Sequence, residues 1–204
     1  MACIFLMVSS VYSIGTEEMR GVIIQRKEKS IMKSKQSFSL VVEGTDGSCA
    51  VGERRGNQNR VEGKIPVISC EGACVRGEIA RLAANLVAKE PPYRRSCHGE
   101  MFTVPASAIA EWMREAQKVV VIDGCFLHCH GRILKNLIAE EKIAEFDALA
   151  VYQKYTDLFD IDEVPEAERK LAARQVADSV LAAMECGQPV GTTRAAVCCT
   201  GCAE

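Results

Sequence analysis

Residues 119–122, "VVVI", place four β-branched side chains in a row and run directly into Asp123-Gly124-Cys125. β-Branched residues suit a pleated strand, and an unbroken apolar run offers no polar face to water. A strand of that kind is buried on both faces, the situation inside a parallel sheet covered by helices on either side. The flanking sequence supplies the alternation such a sheet needs. "KIPVIS" (64–69) reads as an earlier strand, followed by a helix from about Cys74 to Lys89. On that helix Val75, Ile79, Leu82 and Leu86 form one apolar stripe. "EPPYRR" ends it, and the segment before Cys97 reads as a faint second strand. Thr103 and Pro105 are expected to open the next helix, with Ile109, Trp112, Met113 and Ala116 facing inward. After "VVVI" the pattern predicts a helix from about Cys129 to Glu141 with Ile133, Leu134, Leu137 and Ile138 inward. A strand in "FDALAVY", a loop in "TDLFDIDEV" and a long helix from Pro165 to about Glu185 complete the series.

The order β-α-β-α-β-α-β-α predicts a three-layer α/β fold, with a mostly parallel, doubly wound sheet of about four strands. A chain of 204 residues holds one such domain with tails. The expected divisions are a weakly ordered extension over 1–63, the α/β domain over 64–185 and a cysteine-containing tail over 186–204. The opening run "ACIFLMVSSVYSIG" has signal-peptide length, but no Lys or Arg precedes it, and it is too short for a membrane span. Met32 offers a second start, and residues 1–31 are expected to lie outside the mature protein.

A net charge of −2, a pI near 6.0 and only 5% aromatic residues give no footprint for nucleic acid or an anionic membrane. Eleven cysteines, an odd number clustered at short spacings, point to metal or redox chemistry in the cytoplasm rather than to disulfides. Their placement sharpens this. Cys70 follows the first strand, Cys97 the second and Cys125 the third, at separations of 27 and 28 residues. Each separation is one βα unit, so three loops carry a cysteine to one edge of the sheet, where ligands bind in folds of this kind.

Cys70 and Cys74 form a C-x3-C, and Cys125 and Cys129 repeat it. The second member of each pair falls on the first turn of a helix, where free N–H groups favour thiolate over thiol. Gly72 and Gly124 are expected to let the backbone turn sharply beside them. Thiolates ligate zinc, the first choice here, or an iron–sulfur cluster, the second. His98, His128 and His130 are further candidate ligands, and Asp123 is expected to cap the turn or hold a histidine. Arg76 and Arg132 are either solvated or offset thiolate charge.

"IDGCFLHC" (122–129) resembles the Asp-Gly-Cys motif that names the DGC-domain family. The resemblance runs from about Lys64 to Met184. It implies a zinc-binding protein with four chelating cysteines and no established activity. These map onto Cys70 in "SCEGAC", Cys97, Cys125 and Cys129, and Thr156–Leu158 is similar to the family's final loop. Cys74 is an additional candidate, and "SCHGE" departs from the apolar-Gly context usual around the second cysteine.

Two other classes fit parts of the chain. "CEGACVR", Cys70 to Arg76, is a C-x5-R on a strand-to-helix loop, the arrangement of small tyrosine phosphatases and arsenate reductases. Loop N–H groups would cradle an oxyanion while Arg76 clamps it, but Gly77 stands where those enzymes use Ser or Thr. A thiol redox or metal-trafficking protein would instead use Cys74 or the tail cysteines Cys199 and Cys202.

Overall fold

Four short apolar runs form the strands of one sheet: β1 (Ile65–Ser69), β2 (Tyr93–Arg95), β3 (Val119–Asp123) and β4 (Ile143–Asp147). All neighbours pair parallel in the order β2-β1-β3-β4. The structure, a computed structural model, describes residues 37–45 and 47–186. Side chains alternate across the sheet as strand geometry dictates. Val67, Val120, Ile122 and Ala144 point to one apolar cluster, and Ile68, Val119, Val121 and Ile143 to another. The first cluster is closed by α2 (Val75–Val87), α6 (Ala148–Tyr152) and α7 (Glu166–Glu185). The second is closed by α3 (His98–Thr103), α4 (Ala108–Glu115) and α5 (Cys129–Leu134). Every residue of β3 is buried, the two-sided burial that the "VVVI" run predicts. The fold is the expected three-layer α/β arrangement on an all-parallel sheet.

The structure departs from expectation at several places, most of them for a local reason. Within the stretch expected to be a weakly ordered extension, α1 (Ala50–Val61) is a helix packed on α4. It has no apolar stripe; its buried residues are Gly52, Gly56 and Asn59, so close approach replaces hydrophobic burial. Glu53 Oε1 accepts the Ala108 N–H at 3.1 Å, capping α4 from outside, and Arg60 pairs with Glu111 at 2.8 Å. The second helix opens at Ala108 rather than near Pro105, because the Ser107 hydroxyl accepts from Ala110 N and is the stronger N-cap.

The third departure is α5, which stops at Leu134, well short of Glu141. Asn136 turns its amide onto the Arg132 carbonyl, a side-chain bond that competes with helix continuation. Leu134 and Ile138 stay buried, whereas Ile133 and Leu137 are exposed. Last, "FDALAVY" divides at Asp147, whose carboxylate accepts from Ala150 N and starts α6. The apolar run at the N-terminus and Cys199 and Cys202 lie outside the described residues. Among those described, no helix is long and apolar enough to cross a membrane.

Candidate metal centre

Parallel pairing brings the carboxyl ends of β1, β2 and β3 to one edge, so the chain does deliver Cys70, Cys97 and Cys125 there together. Cys70 is held most firmly. Its N–H donates to the Ile122 carbonyl at 2.9 Å, extending the β1–β3 ladder one residue beyond the strand. Burial raises its thiol, but His130 and the N–H groups of Gly72 and Gly124 outweigh this and hold it below the ordinary thiol value.

Asp123 ends β3 and is 1% exposed. Its two oxygens accept from His130 N at 3.1 Å and Gly131 N at 2.9 Å, tying the start of α5 to the end of the strand. Burial disfavours the carboxylate, yet His130 and these N–H groups hold it below its usual range. His130 Nδ1 stands 3.7 Å from Asp123 Oδ1, too far for a hydrogen bond, and has no hydrogen-bond partner. Desolvation would lower its basicity; Asp123 and Cys70 overcome that and push it up to about 9. Ligand atoms of Cys70, Asp123 and His130 all lie within 4.8 Å of one another. A second group, Asp123, His128 and Glu145, meets the same measure.

Two glycines make this closeness possible. A Cβ on Gly131 would collide with the Glu145 carboxylate, so that side chain can lie over the first turn of α5. A Cβ on Gly124 would come 2.9 Å from the Arg76 backbone. Gly124 therefore serves the close approach of α2 as well as the bend expected of it, and Gly63 alone among the described glycines has a positive φ. His128 does take the left-handed conformation, at φ 46° and ψ 49°.

The other four candidate cysteines join neither group. Cys74 caps the start of α2 and Cys125 lies on the β3–α5 loop, both half-buried, with the Arg76 charge acting on both. Burial holds the Cys125 thiol above its ordinary value. Cys97 and Cys129 are exposed at the first turns of α3 and α5. The Cys97 loop reaches the core through His98, whose ring meets His130 edge-on with centroids 5.3 Å apart. Arg76 donates to the Thr156 carbonyl at 3.3 Å, and Val75 N to Phe159 O at 2.9 Å, so the 156–159 loop closes over the start of α2. Arg76 is thus engaged with Cys74 and this loop, whereas the partners of Cys70 are His130, Gly72 and Gly124.

The sequence marks His98, His128 and His130 as candidate ligands and Asp123 as a cap or a partner for a histidine, but assigns no role to Glu145. The available signal was an acid at the centre of a parallel strand, "IAEFD", whose carboxylate lies against Gly131 of α5.

The molecule is thus a parallel α/β domain that gathers thiol, imidazole and carboxylate groups able to hold a metal ion at the carboxyl edge of its sheet. The family model described as DGC domain matches residues 66–176, more than half of the 204, and the chain belongs to that family. No curated protein and no solved structure matches it.

Proposed function

We propose that this chain binds one zinc ion at the carboxyl edge of its sheet, anchored on Cys70, and that it is a cytoplasmic zinc protein. One observation carries the reading: Cys70, Asp123 and His130 present sulfur, oxygen and nitrogen donors within 4.8 Å, in a half-buried place. Those are the donor types zinc takes, and an unpartnered imidazole nitrogen among them fits a ligand that awaits its ion. One thiolate from among Cys74, Cys97, Cys125 and Cys129, on the surrounding loops, would complete a four-ligand shell. Iron–sulfur clusters are held chiefly by thiolates, so a carboxylate and an imidazole beside Cys70 favour zinc.

Asp123 has two duties in this reading: it fixes the start of α5 through two N–H groups and keeps His130 beside the thiol. Four protein ligands would make zinc a structural clasp, and three would leave it a position at which to polarise water or a carbonyl. Cys49, Cys70, Cys74, Cys97, Cys125 and Cys129 are free thiols, in keeping with a reducing compartment.

Elemental analysis of the purified full-length chain, dialysed against a weak chelator, tests the proposal. About one zinc per chain is expected for a single mononuclear site, lost in Cys70→Ser or Cys125→Ala and retained in Cys186→Ser. Iron with acid-labile sulfide, or zinc undiminished in Cys70→Ser, would overturn it.

A further inference from the structure

The carboxyl edge carries one more constellation than a single ion uses. Asp123 belongs to both groups: Cys70 and His130 lie with it on one side, His128 and Glu145 on the other. The second group has its own unmet ligand atoms. His128 Nδ1 and Glu145 Oε1 are both buried and stand 3.4 Å apart, close enough for an ion pair but with no hydrogen bond to each other or to any other group. Two such atoms facing each other in a folded protein leave a cost that a shared cation would remove. His128 is held there by a left-handed backbone, and Glu145 by the missing side chain of Gly131.

We infer that Asp123, His128 and Glu145 form a second divalent-cation site, joined to the Cys70 group through the Asp123 carboxylate. The inference rests on the zinc reading only for its neighbour, since its own ligands are separate apart from Asp123. Its chemistry differs. One imidazole and two carboxylates, with no thiolate, suit a cation of borderline to hard character such as Mn²⁺. Both negative side chains serve it, and a carboxylate with two oxygens can bridge neighbouring cations. Lys135 Nζ lies 3.0 Å from Glu145 Oε2, so an ammonium already neutralises one oxygen of this ligand. That competition makes the second site the weaker of the two and gives it a distinctive signature.

The test uses the full-length, zinc-loaded chain titrated with Mn²⁺ and followed by the loss of the free-ion electron paramagnetic resonance signal. Wild type should take up about one Mn²⁺ per chain, and Glu145→Gln and His128→Gly should each weaken uptake by about tenfold or more. Glycine is the residue that adopts a left-handed backbone most readily, so His128→Gly removes the imidazole while keeping the turn, and its circular dichroism should be unchanged. Lys135→Met should tighten Mn²⁺ binding, an effect that a purely structural cluster would not show. No specific uptake by wild type would overturn the proposal, as would unaltered uptake in both Glu145→Gln and His128→Gly. The two readings fail separately: zinc is read by elemental analysis of Cys70→Ser, and the second cation by Mn²⁺ uptake that follows Glu145. Uptake sensitive to Glu145→Gln in a zinc-free chain would support the second site even where the first had failed.

Discussion

His130 is the residue whose surroundings bear most directly on behaviour. Its basicity in the metal-free chain is pushed up to about 9, because Asp123 and Cys70 favour the imidazolium against the opposing effect of burial. A group with a raised folded pKa adds stability that is fully present below its unfolded value near 6.5 and lost as pH rises through about 9. The metal-free protein should therefore melt at a lower temperature at pH 9.5 than at pH 7, and His130→Gln should flatten that difference. Equal slopes for the two proteins would remove His130 from the account. Zinc runs the other way, since it must displace the imidazolium proton, so its affinity should climb with pH until about 9. Competition with a chromogenic chelator across that range would show it. Arg76 permits another residue-level expectation: engaged with Cys74 and the Thr156 carbonyl, it is not set to clamp an oxyanion on Cys70. The purified chain should leave aryl phosphates unhydrolysed, and vanadate should not shield Cys70 from alkylation; turnover abolished by Cys70→Ser would reverse this.

Among the elements, α1 changes where the domain begins. Truncation at Lys64 removes the Glu53 cap on α4 and the Arg60–Glu111 pair, and it uncovers the α4 backbone that Gly56 approaches. A lost cap costs about 1 kcal/mol and a half-exposed ion pair less than that, before the uncovered surface is counted. A chain starting at Cys49 should melt like the full-length protein, and one starting at Lys64 should melt several degrees lower; identical melting curves would show α1 to be dispensable.

The sequence concealed α1 because its buried face is two glycines and an asparagine, which no apolar period reveals. By contrast, β3 and α2 were legible, since β3 is buried throughout and α2 carries a continuous apolar face. The ends of α5 and β4 were not, because single side-chain bonds from Asn136 and Asp147 decide them. At the site, the edge and its cysteines followed from strand spacing. The partnership of Cys70 with Asp123 and His130 did not, since it depends on how α5 is rotated against β3.

For the molecule as a whole, the candidate ligands come from separate strand ends and loops, so occupancy and fold stability are linked. A ligand that binds only the native state stabilises it by about 2.7 kcal/mol at a hundred times its dissociation constant. Zinc should raise the melting temperature of the wild-type chain, chelator should lower it to the metal-free value, and Cys70→Ser should respond to neither. A zinc-dependent shift of wild-type size in that variant would place the ion elsewhere.

The backbone bond from Cys70 N to Ile122 O also sets an order of events. It cannot form until β1 and β3 lie side by side, and the whole β2 and α4 segment must loop out between them first. Pairings so distant in sequence make folding slow, because loop closure must precede the contacts that reward it. A nascent chain can hold metal loosely at adjacent thiols such as Cys70 and Cys74, but the Cys70–Asp123–His130 constellation appears only once the sheet has closed. Rapid mixing of unfolded chain with refolding buffer and zinc should therefore show this site filling no faster than tertiary structure appears, whatever the zinc concentration.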